Sequence, residues 1–145
     1  HPDLYELLRH VLGELDRGGA PEAALSIVFQ VRFLRISGHD PNLGCCVHCR
    51  REVDCIPTGR LGVDVAKGGI ACSSCLPGFP EAGHLSKGTA KQLLWVSTGD
   101  LGRTARMKFS AEATAEALRF LERFVPHHLG REPRSLKVLR QLRGK

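Results

Sequence analysis

The spacing of apolar residues predicts two helices at the start of the chain. Leucine and valine recur at three- and four-residue intervals over residues 4–15, Asp3 is placed to cap this run, and a glycine pair follows it. A second apolar run covers residues 21–38, begins at a proline and ends at a glycine. Its apolar residues fall on most sides of a helix, so we expect this second helix to lie at the centre of the core.

The second half of the chain predicts three more helices. Ser86 is placed to cap a helix over about residues 87–97, and Ser110 is placed to cap another. The apolar stripe of that helix reaches Pro126, which is expected to kink the helix or end it early. Leucines near the end of the chain predict a last short helix over about residues 136–142. The fold class expected from these patterns is mainly α.

Between about residues 44 and 76 the helical pattern is interrupted. The segment has no apolar periodicity, and the glycines of its TGRLG and KGG stretches are typical of tight turns between short strands. A segment of this length without an apolar pattern cannot easily form its own core, so a local crosslink is needed to order it. We therefore expect one helical domain over residues 1–145 that carries an inserted module at about 44–76.

Four of the six cysteines form two Cys-x2-Cys pairs in this segment. They are Cys46, Cys49, Cys72 and Cys75. Four thiolates at two tight turns suit tetrahedral zinc, whose binding free energy can replace a missing core. Cys46, rather than Cys45 beside it, leaves the two-residue gap to the next cysteine, so Cys45 and Cys55 are expected to be spare thiols. The prediction is a structural zinc ion in a zinc-ribbon-like module with four cysteine ligands.

The sequence supports other roles for the thiols less well than structural zinc. A disulfide framework requires an oxidising compartment, for which nothing in the sequence argues, and a redox centre needs only one pair. Catalytic zinc usually keeps an open position with three protein ligands. His48 is an alternative ligand, although it lies inside the first pair, and the pair His127-His128 is interpreted as a helix-end cap.

No hydrolytic or transfer motif occurs in the sequence, so we expect no enzymatic activity and no small-molecule substrate. No apolar run approaches the roughly 20 residues needed to cross a bilayer, so we expect no membrane association and a cytoplasmic address. The chain begins at His1 rather than at methionine, and we expect a fragment of a longer protein.

The net charge of +6 is unevenly distributed. Residues 85–145 contain thirteen basic and five acidic side chains, so a polyanionic partner is expected there. A solvated basic helix face that only aids solubility is the alternative. Five basic residues recur every three positions near the end of the chain. They are Arg131, Arg134, Lys137, Arg140 and Arg143.

The order of these motifs resembles the C-terminal region of the bacterial RecO family of DNA repair proteins. The matching stretches are ISGHDPNLGCCVHC, GGIACSSC, LSKGTAKQLL and HHLGREPRSLKVL. The resemblance implies a zinc-stabilised helical domain in a recombination mediator that anneals complementary single strands. With RecR and RecF, such a mediator helps to load RecA onto DNA coated by the single-stranded-DNA-binding protein SSB. It also implies that Cys46, Cys49, Cys72 and Cys75 hold the metal, whereas Arg50 stands where the family often has glycine.

The resemblance also implies the partners. Proteins of the family have an N-terminal OB-fold that this chain lacks, so we expect the C-terminal part of such a protein, acting in the cytoplasm at the nucleoid. Single- and double-stranded DNA would then bind mainly through the missing OB-fold. The basic residues at 131–143 would form a broad positive field that receives the acidic C-terminal tail of SSB, or phosphates. The alternative function is an unrelated helical zinc module that regulates transcription or translation.

Overall fold

Five helices form most of the computed structural model, which describes residues 2–77 and 84–129. They are α1 (Pro2–Arg17), α2 (Glu22–Ile36), α3 (Lys87–Thr98), α4 (Leu101–Thr104) and α5 (Ala111–Leu129). The mainly helical fold class is confirmed. No helix within the described ranges has the length and apolar character that a membrane span requires.

Helix α2 lies at the centre of the core, as its pattern predicts. Every residue from Ala24 to Val31 is buried, and α2 packs against α1, α3 and α5. A helix that is apolar on most sides is stable when neighbouring elements cover those sides and remove them from water. Its partly buried Arg32 extends from this core to the end of α3, where Nη1 donates hydrogen bonds to the carbonyl oxygens of Val96 and Gly99 at 3.1 and 2.6 Å.

The helix caps follow the sequence in two of three cases. The Oγ of Ser86 accepts a hydrogen bond from the Thr89 N–H at 3.3 Å, and the Oγ of Ser110 accepts one from the Ala113 N–H at 3.0 Å. The prediction that Asp3 is a cap was wrong, because α1 begins at Pro2 and Asp3 therefore lies in its first turn. Helix α4 was not predicted, since a helix of four residues is too short to show an apolar period.

Pro126 lies inside α5, which continues to Leu129. The prediction that the proline ends the helix early was therefore wrong. Proline removes one N–H donor and crowds the preceding turn, but Pro126 is exposed and lies in the last turn of the helix. Water can satisfy the carbonyl that loses its partner there, while Phe124 and Val125 remain buried.

A small antiparallel sheet interrupts the helices. Its strands are β1 (Arg60–Asp64), β2 (Gly69–Ala71) and β3 (Leu85–Ser86), in the order β2-β1-β3. Val63 lies opposite Ile70, and Leu61 lies opposite Leu85. The turn between β1 and β2 contains Gly68 at a φ of 85°, a conformation that glycine adopts without steric cost. The sequence predicted two short strands, and it missed β3, which leads directly into α3.

The inserted module and the helices share one hydrophobic core. The module's apolar residues lack periodicity, yet several are buried with the helical ones. These are Leu43, Val53, Ile56, Leu61 and Ile70. The expectation that only a local crosslink orders this segment was therefore incomplete, because its scattered apolar side chains also pack against the helices. The predicted last helix at 136–142 lies outside the described residues.

Candidate metal centre

The first cysteine pair lies on a tight turn that follows α2. The N–H of Cys46 donates to the carbonyl oxygen of Arg51 at 2.9 Å, and the N–H of Arg50 donates to the carbonyl oxygen of Cys46 at 3.0 Å. Arg50 has a φ of 66°, in the left-handed region that favours glycine. The arginine therefore holds a turn conformation that a side chain makes less favourable.

The second pair lies directly after β2. The N–H groups of Cys75 and Leu76 both donate to the carbonyl oxygen of Cys72, at 3.1 and 3.0 Å. This turn meets the first one because the N–H of Val47 donates to the carbonyl oxygen of Ile70 at 2.9 Å. The two turns are thus joined through the backbone of β2.

Asn42 and Gly69 hold this junction together, although the sequence pattern predicted no contact between them. Asn42 pairs with Gly69 in an isolated parallel β-bridge. The Oδ1 of Asn42 also accepts hydrogen bonds from the N–H groups of Gly44 and Cys45, each at 3.2 Å. A Cβ on Gly69 would meet the carbonyl oxygen of Asn42 and would lie 2.8 Å from Cγ1 of Val47. The available signals were the turn-forming asparagine of HDPNLG and the double glycine before the second pair.

The structure brings together the four predicted sulfur ligands. The Sγ atoms of Cys46, Cys49, Cys72 and Cys75 all lie within 4.8 Å of one another. Cys49 Sγ lies 3.8 Å from Cys72 Sγ. A tetrahedral metal with sulfur bonds of about 2.3 Å requires sulfur–sulfur separations of about 3.8 Å. Cys46 and Cys72 are buried and Cys49 is exposed, so the cluster lies at the edge of the core.

The surroundings of the sulfurs favour a thiolate at Cys46. Burial acts to raise the pKa of this thiol, but the backbone N–H groups of Cys49, Cys72 and His48 lower it to about 6. The His48 and Cys72 nitrogens each lie 3.4 Å from Cys46 Sγ.

Cys75 behaves in the opposite way. The pKa of Cys75 is raised to about 12, with hydrogen bonding to Cys72 as the larger cause and burial as the second. Negative charge is thus favourable at one sulfur and unfavourable at its neighbour, as expected where four thiols share a small volume. A divalent cation would remove this conflict, because it stabilises all four thiolates together.

The remaining candidate ligands lie outside the cluster. Cys45 is half-buried and its Sγ lies 3.4 Å from Nδ2 of Asn42, while Cys55 is exposed on the 3₁₀ turn Val53–Cys55. His48 points to β1, where its Nε2 lies 2.8 Å from Oδ2 of Asp64. All six cysteines are free, so no disulfide competes for the sulfurs.

The other predicted site residues have different outcomes. The basic residues Arg131, Arg134, Lys137, Arg140 and Arg143 lie outside the described residues. His127 and His128 lie in the last turn of α5, at the helix end where the sequence places them. Nε2 of His128 donates a hydrogen bond to the carbonyl oxygen of Val65, in the turn between β1 and β2, at 2.7 Å.

Comparison with known proteins finds one family over nearly the whole chain. The family model described as Recombination protein O C terminal matches residues 1–137. A protein of Desulfosudis oleivorans named DNA repair protein RecO is 45% identical over 146 aligned residues, which cover 97% of this chain and 55% of that protein. A protein of the same name from Desulfatibacillum aliphaticivorans is 39% identical, with 97% and 55% covered.

The chain thus spans about half the length of these curated relatives. No solved structure matches it significantly.

Proposed function

This chain belongs to the Recombination protein O C-terminal family, and from that membership we propose that it serves in DNA repair and recombination. In this proposal it is the C-terminal domain of a recombination mediator that supports single-strand annealing and RecA loading. The observation that carries the proposal is the family match over residues 1–137. Family membership also disfavours the alternative of an unrelated zinc module that regulates transcription or translation.

The metal of this domain is proposed to be structural zinc. Four cysteine sulfurs are a ligand set typical of structural zinc, and they fill its four coordination positions. A site without an open position does not activate water or substrate, which agrees with a protein that is not an enzyme and has no small-molecule substrate. Zinc would instead fix the two turns to each other and to β2.

The functional surface is proposed to be basic and to lie in the last part of the chain. Residues 85–145 carry thirteen basic side chains against five acidic ones. The proposed partners are the acidic, apolar C-terminal tail of SSB, RecR, and single- and double-stranded DNA. Docking of the SSB tail at Arg131, Arg134, Lys137, Arg140 and Arg143 is favoured over direct DNA contact there, because no aromatic side chain interrupts these charges to stack on bases. Such a mediator would act in the cytoplasm, at the nucleoid.

A charge-reversal experiment tests this proposal. The variant Arg134→Glu/Lys137→Glu/Arg140→Glu is compared with Arg103→Glu/Arg119→Glu/Arg123→Glu, which reverses three exposed arginines of α4 and α5. Binding of a labelled SSB-tail peptide is measured by fluorescence anisotropy at low and high salt. The first variant should bind about tenfold more weakly at low salt, with a smaller difference at high salt.

Two results would contradict the docking surface. Unchanged peptide binding in the first variant would show that residues 134–140 do not receive the tail. An equal loss in both variants would show a diffuse effect of net charge. RecR binding, measured with the same two variants, shows whether RecR and the SSB tail use the same basic residues.

A further inference from the structure

A small cleft lies between α1 and α4, on the side of the molecule formed by the first helix. Its volume is about 250 Å³, and Gly13 and Gly102 are among its lining residues. A Cβ on Gly13 would meet no atom within 4 Å. The cleft is therefore open to a small group that approaches α1 closely.

A carboxylate organises two arginines at this cleft. The Glu14 side chain is only 11% exposed, and its Oε1 accepts a hydrogen bond from Nη1 of Arg17 at 3.0 Å and from Nε of Arg106 at 3.3 Å. Arg17 extends from α1, whereas Arg106 follows α4. One nearly buried acid thus positions guanidinium groups from two separate segments.

Most of the donor capacity of these arginines is unused. A guanidinium has five N–H donors, and within the described part of the chain Arg17 and Arg106 each direct one nitrogen to Glu14. Their side chains remain 62% and 67% exposed. The groups are therefore fixed at one end and free to bind an anion at the other.

The charge balance of the lining is positive. Arg9, Arg17 and Arg106 line the cleft together with the single carboxylate Glu14, which leaves a formal charge of +2 while His10 is neutral. Glu6, outside the lining, pairs with Arg9 at 3.0 Å and lies 3.9 Å from His10. With Glu6 counted, the local formal charge is +1, and it is carried by Arg17 and Arg106 around Glu14.

We propose that this cleft, formed by Arg9, Arg17 and Arg106 around Glu14, binds a backbone phosphate of a nucleic-acid strand. The planar fork of a guanidinium matches the oxygen pairs of a phosphate, and two forks can hold one phosphodiester. The inference rests on the proposed function, which supplies the nucleic acid, but it assigns a contact outside residues 131–143. It also assigns to this domain a DNA contact of its own.

The lining distinguishes a phosphate from an acidic peptide. No apolar side chain is among the lining residues, so a tail with apolar residues would have no surface on which to pack. The exposed apolar residues of α1, Tyr5 and Leu12, do not line the cleft. On a helix they also lie about 100° or more from Arg17. A single oxyanion fits this volume and charge better than a peptide does.

The test uses the full 145-residue chain and a fluorescently labelled oligo(dT) strand, with binding followed by anisotropy over a salt series. The variant is Arg17→Ala/Arg106→Ala, and the matched control is Arg119→Ala/Arg123→Ala, which removes two exposed arginines of α5. The first variant should lose about tenfold or more in affinity at low salt, and its salt slope should fall by about 0.7 for each phosphate contact that is removed. Arg106→Lys, which keeps the charge but loses the fork, is the second variant if the double variant does not fold, and it should lose part of the affinity.

Several outcomes would overturn the inference. They are unchanged binding and slope in Arg17→Ala/Arg106→Ala, an equal loss in the control, and absence of oligo(dT) binding by the unmodified chain at low salt. None of them alters the response of peptide binding to Arg134→Glu/Lys137→Glu/Arg140→Glu. A failure of the cleft and a failure of the proposed function are therefore distinguished by the two sets of variants.

Discussion

The Nε2 of His128 donates a hydrogen bond to the carbonyl oxygen of Val65 at 2.7 Å, which joins the last turn of α5 to the turn between β1 and β2. The same imidazole stacks on Phe124, with the ring centroids 4.1 Å apart, and a Cβ on Gly68 would lie 3.7 Å from its Cε1. The end of the longest described helix is thereby tied to the hairpin that carries the second cysteine pair.

Replacing His128 by phenylalanine tests this tie. His128→Phe keeps an aromatic ring on Phe124 but leaves the carbonyl of Val65 without its donor, so it should lower the free energy of unfolding by about 1 kcal/mol. His127→Phe, at the exposed neighbouring position, should change it by less than about 0.5 kcal/mol. Urea unfolding of the metal-loaded proteins measures both values. Equal stability of His128→Phe and the unmodified protein would show that the tie contributes nothing.

Removal of one proposed zinc ligand should affect metal content and stability together. Cys72→Ser is expected to bind less than one zinc per chain and to lose more than about 2 kcal/mol of unfolding free energy, because Cys72 is a buried member of the cluster. Cys55→Ser, on the exposed 3₁₀ turn, should change neither quantity. Elemental analysis and thermal unfolding are the measurements. A full zinc content in Cys72→Ser would contradict the ligand assignment.

Arg50 offers a stabilising substitution. Because its φ is 66°, Arg50→Gly should raise the free energy of unfolding by about 0.5–1 kcal/mol, as the left-handed conformation is less costly without a Cβ. Arg51→Gly is the control, since Arg51 has no positive φ and glycine there should lower stability. Both are measured on zinc-loaded protein in urea. A lower stability of Arg50→Gly would show that the arginine side chain itself supports the turn.

Gly69 is expected to tolerate no side chain. A Cβ there would meet the backbone of Asn42 and approach Val47 at 2.8 Å, so Gly69→Ala should cost about 1–3 kcal/mol and weaken zinc retention against a chelator. At Gly59 a Cβ would meet no atom within 4 Å, and Gly59→Ala should leave zinc retention unchanged. Competition with a chromophoric chelator measures retention. Equal retention in the two variants would show that the junction adapts to the added methyl group.

Arg32 should be more important for stability than its neighbour Arg35. Arg32→Met removes the donors that the carbonyls at the end of α3 use, and it should lower the free energy of unfolding by about 2 kcal/mol. Arg35 is exposed, so Arg35→Met should have an effect below about 0.5 kcal/mol. Burial lowers the pKa of Arg32, with the charge of Arg35 as a second cause. A comparable loss in both variants would mean that the change in net charge lowers the stability, and not the loss of the hydrogen bonds from Arg32 to the end of α3.

The parts of this fold that follow a local rule are predictable from the sequence. The apolar period identifies α1, α2 and α5, and Ser86 marks the start of α3, since these signals reflect contacts within a few residues. The Cys-x2-Cys spacing similarly identifies the four clustered sulfurs, because each pair lies on one turn.

The features that the sequence did not predict depend on distant partners. The carbonyl that His128 binds belongs to a residue 63 positions away, so helix-end chemistry alone suggested a cap. The role of Gly69 becomes visible only when Asn42 lies beside it. The burial of Leu61 and Ile70 shows no period, because their strands are short and share a core with helices that are remote in the sequence.

The hydrophobic core that the cysteine module shares with the helices limits how the module can be used in protein engineering. A graft of residues 42–86 onto another scaffold would carry all four sulfurs, but it would leave Leu61 and Ile70 without the helices that bury them. Such a chimera should bind zinc and still aggregate, because exposed apolar strand residues promote association. The module is exchangeable only together with the helices whose hydrophobic core it shares.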